Sequence, residues 1–118
     1  MGGSNSVDGF YAAYLSGIAG NSIGMFVFKD GTVVGADGGG GRYDGEYFVT
    51  QDQKYIEASI RFMLPIGGAS ITGITAGSEP LTMTVPLRLP VDFNRTDVHR
   101  IETPIGPINA KLEKIRSA

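Results

Sequence analysis

A small antiparallel all-β barrel is the fold this sequence predicts, and three observations predict it. The first is the stretch GMFVFKDGTVVGADGGGGRYDGEY, residues 24–47, where short apolar runs are punctuated by explicit turn chemistry. Asp30-Gly31 lies between the runs 23–28 and 32–34, and such a pair closes a two-residue hairpin because a type I′ turn needs positive φ at both central residues. The second is strict alternation of apolar and polar residues over 55–64 and 81–89, which gives each segment one buried and one wet face. The third is glycine, 18 of 118 residues, about twice the average usage of ~7%. Aromatic and β-branched residues are plentiful beside it, so the composition is that of a tightly turned barrel or sandwich and not of a disordered chain.

The elements follow in order. Residues 10–16 (FYAAYLS) read as a first strand with two mostly apolar faces, Phe10, Ala12, Tyr14 and Tyr11, Ala13, Leu15. After a turn at 17–21, residues 22–29 form a second strand, again apolar on both faces, with Met25 and Val27 opposite Phe26 and Phe28. Residues 32–37 and 42–50 are the third and fourth strands, and 51–54 a polar turn. In the fifth, 55–64, Ile56, Ala58, Ile60 and Phe62 face one way and Glu57, Ser59 and Arg61 the other. In the sixth, 81–89, Leu81, Met83, Val85, Leu87 and Leu89 alternate with Thr82, Thr84, Pro86 and Arg88. Proline cannot donate to a ladder, so Pro86 places this strand at an edge or a bulge. Between Pro65 and Ser78 lies a small, uncharged, glycine-rich segment too long for a hairpin loop, read as a flap or as a short helical turn. Residues 98–103 and 108–114 are the seventh and eighth strands. The last has good helix formers and an Ile108/Leu112 pair at i,i+4, but the strand reading is preferred because a final strand would close the barrel and remove its edges. Little helix is expected. Met1–Ser6 reads as a flexible leader or a tag remnant outside a single domain, 7–118.

Composition excludes several function classes. The chain has no cysteine, which removes a disulfide scaffold, a thiol nucleophile and any Cys-ligated zinc site. A net charge of -2 leaves no basic excess to neutralise phosphates, so no direct nucleic-acid binding is expected. No apolar run reaches the roughly 20 residues of a membrane-spanning helix, and MGGSNSV lacks the charged and apolar regions of a signal peptide. The expected setting is the cytoplasm, away from membranes.

The sequence carries no convincing catalytic constellation. Asp37–Glu46 (DGGGGRYDGE) brings three carboxylates near mobile backbone, but the spacing fits neither an EF-hand nor a nonapeptide calcium repeat, and the run lacks the ending of a phosphate cradle. It reads as a glycine-rich connection. His99, the single histidine, reads as an ordinary strand residue, since no serine sits in an elbow-like sequence. No metal, cofactor or catalytic residue is assigned.

The residues carry a family resemblance. Asp8-Gly9-Phe10-Tyr11, Gly24, Phe28-Lys29-Asp30-Gly31, Gly35-Ala36-Asp37, Gly41, Tyr43-Asp44-Gly45-Glu46-Tyr47 and Leu81-Thr82-Met83-Thr84-Val85 occur in an order that resembles the GrlR family. Those are small bacterial proteins typified by a negative regulator of type III secretion gene expression. The resemblance spans residues 7–115. It implies an eight-stranded calycin-like (lipocalin-like) barrel, a homodimer, no catalysis, and a protein partner, a transcriptional regulator. In the typical member an acidic run after the fourth strand matters for that partner. The matching positions here are Gln51, Asp52, Gln53 and Lys54, where one acid remains and Lys54 reverses the sign.

Three function classes are thus set against one another. A regulatory interaction protein is favoured, an enzyme least. Strands apolar on both faces need cover on both, so Phe10, Ala12, Tyr14, Phe26 and Phe28 are the expected dimer interface. The alternative is a carrier of a small hydrophobic ligand, with the 65–78 segment as a lid and Ile56, Ile60, Phe62, Leu81, Met83 and Val85 lining a cavity. The expectation here is that these side chains fill the barrel, because nothing polar on that face would orient a ligand.

Overall fold

The computed structural model describes residues 7–94 and 97–118. The expectation for Met1–Ser6 lies outside the described residues. Eight strands are present: β1 (Gly9–Gly17), β2 (Gly20–Lys29), β3 (Thr32–Asp37), β4 (Arg42–Val49), β5 (Tyr55–Leu64), β6 (Leu81–Pro90), β7 (His99–Ile101) and β8 (Ile108–Arg116). They form one antiparallel sheet in the order β6-β5-β4-β3-β2-β1-β8-β7, curled into a nearly closed barrel. Among the described residues there is no helix, so none is long and apolar enough to cross a membrane.

The C-terminal segment is a strand, as its alternation predicts. Ala110 and Leu112 are buried, while Asn109, Lys111 and Glu113 are exposed. Its pairing with β1 carries the sheet round, with a bulge between Phe10 and Tyr11 that tightens the local twist. Closure is incomplete, however. Consecutive strands pair everywhere except β6 and β7, which remain the two edges, so β8 does not abolish edges as expected. The seventh strand is also shorter than its sequence suggests, three residues only. Pro86 stands in edge strand β6 opposite Ser59, where a missing ladder donor is tolerated.

Two tight turns set the register from β1 to β3. Gly17 pairs with Gly20, which places Tyr11 opposite Phe26 and Gly9 opposite Phe28. Lys29 pairs with Thr32 around Asp30 and Gly31, whose φ values of 50° and 81° are both positive, as the two-residue hairpin requires. Phe26 is then opposite Gly35, which is opposite Tyr43. A Cβ at Gly35 would lie 2.6 Å from the Phe26 ring. The missing side chain lets that ring lie across β3 and meet Tyr43 on β4, centroid to centroid at 4.8 Å.

The core is concentrated at one end. Tyr11, Phe28, Tyr47 and Phe93 meet there across the barrel, with centroid separations of 5.1–5.4 Å. Val7 and Ile56 are fully buried beside them. The hydroxyls of this cluster are satisfied. Tyr11 donates to the Val7 carbonyl at 2.6 Å, and Tyr47 donates to the Asp8 carboxylate. Burial, with the nearby Asp8 charge, pushes the Tyr11 hydroxyl up to about 12. Asp8 also accepts the Asp30 backbone N–H, so the chain entry, the β2–β3 turn and β4 share one acceptor. Outside the barrel, Arg61 forks onto Glu46 at 2.7 and 3.0 Å with Asp44 at 3.4 Å, and Arg88 lies over the Tyr55 ring within 3.5 Å of Glu57. These pairs are exposed and contribute little to stability.

The Gly31→Val variant should lose about 1 kcal/mol or more, because a β-branched residue resists positive φ. Equilibrium urea denaturation checks this. An unchanged midpoint would contradict the turn assignment.

Candidate functional site

The end of the barrel opposite the aromatic cluster is hollow. It encloses a cavity of about 590 Å³. This overturns the expectation that side chains fill the interior. The physical reason lies across the barrel from the aromatic wall. Phe26, Tyr43 and Phe62 run side by side along β2, β4 and β5, while β8 offers Ile108, Ala110 and Leu112 and no ring. An eight-stranded barrel has an interior just wide enough for side chains or one small ligand, so aliphatic residues facing a single aromatic wall leave space for a ligand. Phe28, Val33 and Leu89 also line the cavity, while Tyr11, Tyr47 and Phe93 do not.

The segment 65–78 covers the hollow end. It contains no helical turn. It is a miniature hairpin with an Ala69–Thr75 bridge and hydrogen bonds from Ser70 N to Ile74 O at 2.8 Å and Ala76 N to Gly68 O at 2.8 Å. Ala76 buries itself against Phe62 and Leu64, which anchors the hairpin on β5. Its tip reaches the opposite wall: the Ala19 N–H donates to the Ile71 carbonyl at 2.7 Å. Gly17 makes that approach possible, since a Cβ there would lie 2.6 Å from the same carbonyl oxygen. Ala69, Ser70, Ile71 and Thr72 line the cavity from above. The exposed residues Asn21, Ile23, Gly38 and Gly39 mark its mouth.

Polar groups gather at this end. Asp37 folds the β3–β4 turn around itself. Its Oδ1 accepts the Gly39 and Gly41 N–H groups at 2.9 Å each, and its Oδ2 accepts the Tyr43 hydroxyl at 2.5 Å. Burial first, then this bond and the Asp37 charge, hold the Tyr43 hydroxyl far above the usual tyrosine range. Ser70 and Thr72 share a hydroxyl–hydroxyl bond at 2.9 Å, and Thr103 donates to the Gly106 carbonyl at 2.5 Å. Ser22 stands opposite Leu15 on the inward face. Its hydroxyl oxygen is buried without a hydrogen-bond partner. A buried hydroxyl left so costs about 1–3 kcal/mol.

The structure distributes the sequence candidates unevenly. Ile60, Phe62, Met83 and Val85 line the cavity. Ile56 is fully buried near the aromatic end, and Leu81 packs into the cluster of Phe62, Leu64 and Ala76, so these two stand outside the lining. The expected dimer set is split by the β1–β2 register. Phe10, Ala12 and Tyr14 lie on the outer face, opposite Val27, Met25 and Ile23. Phe26 and Phe28 lie on the inner face with Tyr11, where both line the cavity, and so cannot belong to an outer interface.

Gln51, Asp52, Gln53 and Lys54 form an exposed turn at the aromatic end, away from the cavity. Asp52 is committed to its own turn. Its Oδ1 accepts the Thr50 hydroxyl at 2.6 Å and the Lys54 N–H at 3.0 Å, and these bonds hold its carboxyl below the usual range. The carboxylates of 37–46 are likewise occupied, Asp37 by its turn and Asp44 and Glu46 by Arg61. Among the described residues no three such side chains converge as a metal-holding group. The His99 Nε2 bonds the Phe93 carbonyl at 2.8 Å and ties β7 to the turn that carries Phe93.

The cavity residues missed from sequence are Phe26, Tyr43 and Ser22. The signal for Phe26 was present, since the turn at 18–19 fixes which face of β2 it occupies. No family model, curated protein or solved structure matches the chain.

Proposed function

We propose that this protein is a non-catalytic binder that encloses one small, largely apolar molecule in the hollow end of its barrel, in the manner of a lipocalin-like carrier. The observation that carries this reading is the cavity of about 590 Å³, walled by Phe26, Phe62, Val85 and Leu112 and roofed by Ile71. Its size falls within the roughly 300–1,000 Å³ typical of small-molecule sites. Apolar walls supply the driving force, about 25 cal/mol per Å² of surface removed from water.

The fluorescent probe N-phenyl-1-naphthylamine should bind the full chain saturably, with enhanced emission. Val85→Phe places a ring in the void and should abolish most of that binding while leaving the urea midpoint nearly unchanged. Absence of probe binding, or equal binding by the folded variant, would count against the reading.

A second reading is favoured by the outer surface. Phe10, Tyr14, Ile23, Met25 and Val34 stay 36–64% exposed on neighbouring strands β1, β2 and β3. An apolar strip of this kind marks an interface. In this reading the protein is a homodimer that regulates a protein partner, as the GrlR resemblance implies, and the strip is buried between two copies. Sedimentation at tens of micromolar should show a dimer; a monomer alone would remove this reading without touching the cavity.

A further inference from the structure

We infer that the cavity selects a ligand with an uncharged polar head over an anionic one, and holds that head at the lid end. The inference rests on the binding reading above and adds the chemical class of the ligand. The lining is sorted along the barrel axis. Toward the aromatic end it is wholly apolar, with Phe28, Val33, Ile60 and Leu89. At the lid end it carries the Ser22, Ser70, Thr72 and Thr103 hydroxyls and the Asn21 amide. These are neutral groups that both donate and accept. The Ser22 hydroxyl oxygen is buried and has no hydrogen-bond partner.

Charge decides between head groups. Among the described residues lining the cavity there is no lysine, arginine or histidine, and the single carboxylate is Asp37. The basic residues adjacent in sequence to lining residues, Lys29, Arg42, Arg61, Arg88, Arg100 and Lys111, are all exposed. Asp37 cannot turn away, because two backbone N–H groups and the Tyr43 hydroxyl hold both of its oxygens. A carboxylate or phosphate head entering the mouth would lose its hydration, meet a fixed like charge and find no cation in return. An alcohol, ketone or ester head loses far less and finds hydroxyl partners. The ligand class is therefore an aliphatic or ring-bodied molecule with a neutral oxygen function, not a fatty acid.

The test displaces N-phenyl-1-naphthylamine from the full chain with 1-decanol and with sodium decanoate at neutral pH. Decanol should displace it at a concentration at least about tenfold below that of decanoate, the size expected for burying an uncompensated charge. Asp37→Asn keeps an acceptor for the turn but removes the charge, and should narrow that ratio by about threefold or more. Decanoate displacing as well as decanol from the wild-type protein would overturn the inference while leaving the binding reading intact. So would an unchanged ratio in a folded Asp37→Asn variant. Should the variant fail to fold, the wild-type comparison still decides. Binding of neither probe nor decanol would overturn both the reading and the inference.

Discussion

Four aromatic rings meeting across one end of the barrel are the contact on which the rest of the structure depends. Tyr11, Phe28, Tyr47 and Phe93 arrive from β1, β2, β4 and the turn after β6, and no two are neighbours in sequence. Rings at these separations interact favourably beyond the area they bury. They also consume the limited cross-section that eight strands provide. Their hydroxyls are tied down by Val7 and Asp8, and Asp8 reaches on to the β2–β3 turn. His99 fastens β7 to the segment carrying Phe93. One end of the barrel is thus a solid plug, and everything that opens lies at the other.

The hollow end follows from where the remaining bulk is placed. Phe26, Tyr43 and Phe62 form a continuous aromatic wall, helped by the space above Gly35. What β8 contributes to the lining is aliphatic, Ile108, Ala110 and Leu112, with no ring to meet theirs. The lid closes over this space without filling it, held by Ala76 at its base and by the Ala19–Ile71 hydrogen bond at its tip. Backbone contacts at the tip and polar side chains at the mouth give this end a chemistry that the plug lacks. Solid at one end and roofed at the other is an arrangement suited to holding a ligand in a single orientation.

Much of the fold was legible because it is written in local chemistry. Asp30-Gly31 announces its turn, and the alternation in β5 and β6 separates Ile60 and Val85 from Arg61 and Arg88. The strand at the C-terminus was legible from Ala110 and Leu112. The faces of β1 and β2 were harder, since both are apolar. Periodicity alone could not tell Phe26 from Met25. Only the pairing of Gly17 with Gly20 fixes the parity, and with it the inward direction of Phe26 and Phe28. The cavity was less legible still. Whether Ile56 lies below the floor or Val85 above it depends on strand tilt and on what faces each residue from across the barrel. A void is a shortfall of volume summed over several strands, and no short window of sequence carries that sum. The lid hairpin was hidden for a different reason: its residues are small and uniform, and its hydrogen bonds are backbone to backbone.

The central claim is that the barrel is hollow at one end and takes up one apolar molecule there. Isothermal titration calorimetry with 1-decanol across a range of temperatures tests it most directly. The account predicts a single site per chain and a negative heat-capacity change on binding, the mark of apolar surface leaving water. Absence of saturable heat, or binding of several molecules per chain without a heat-capacity change, would contradict it.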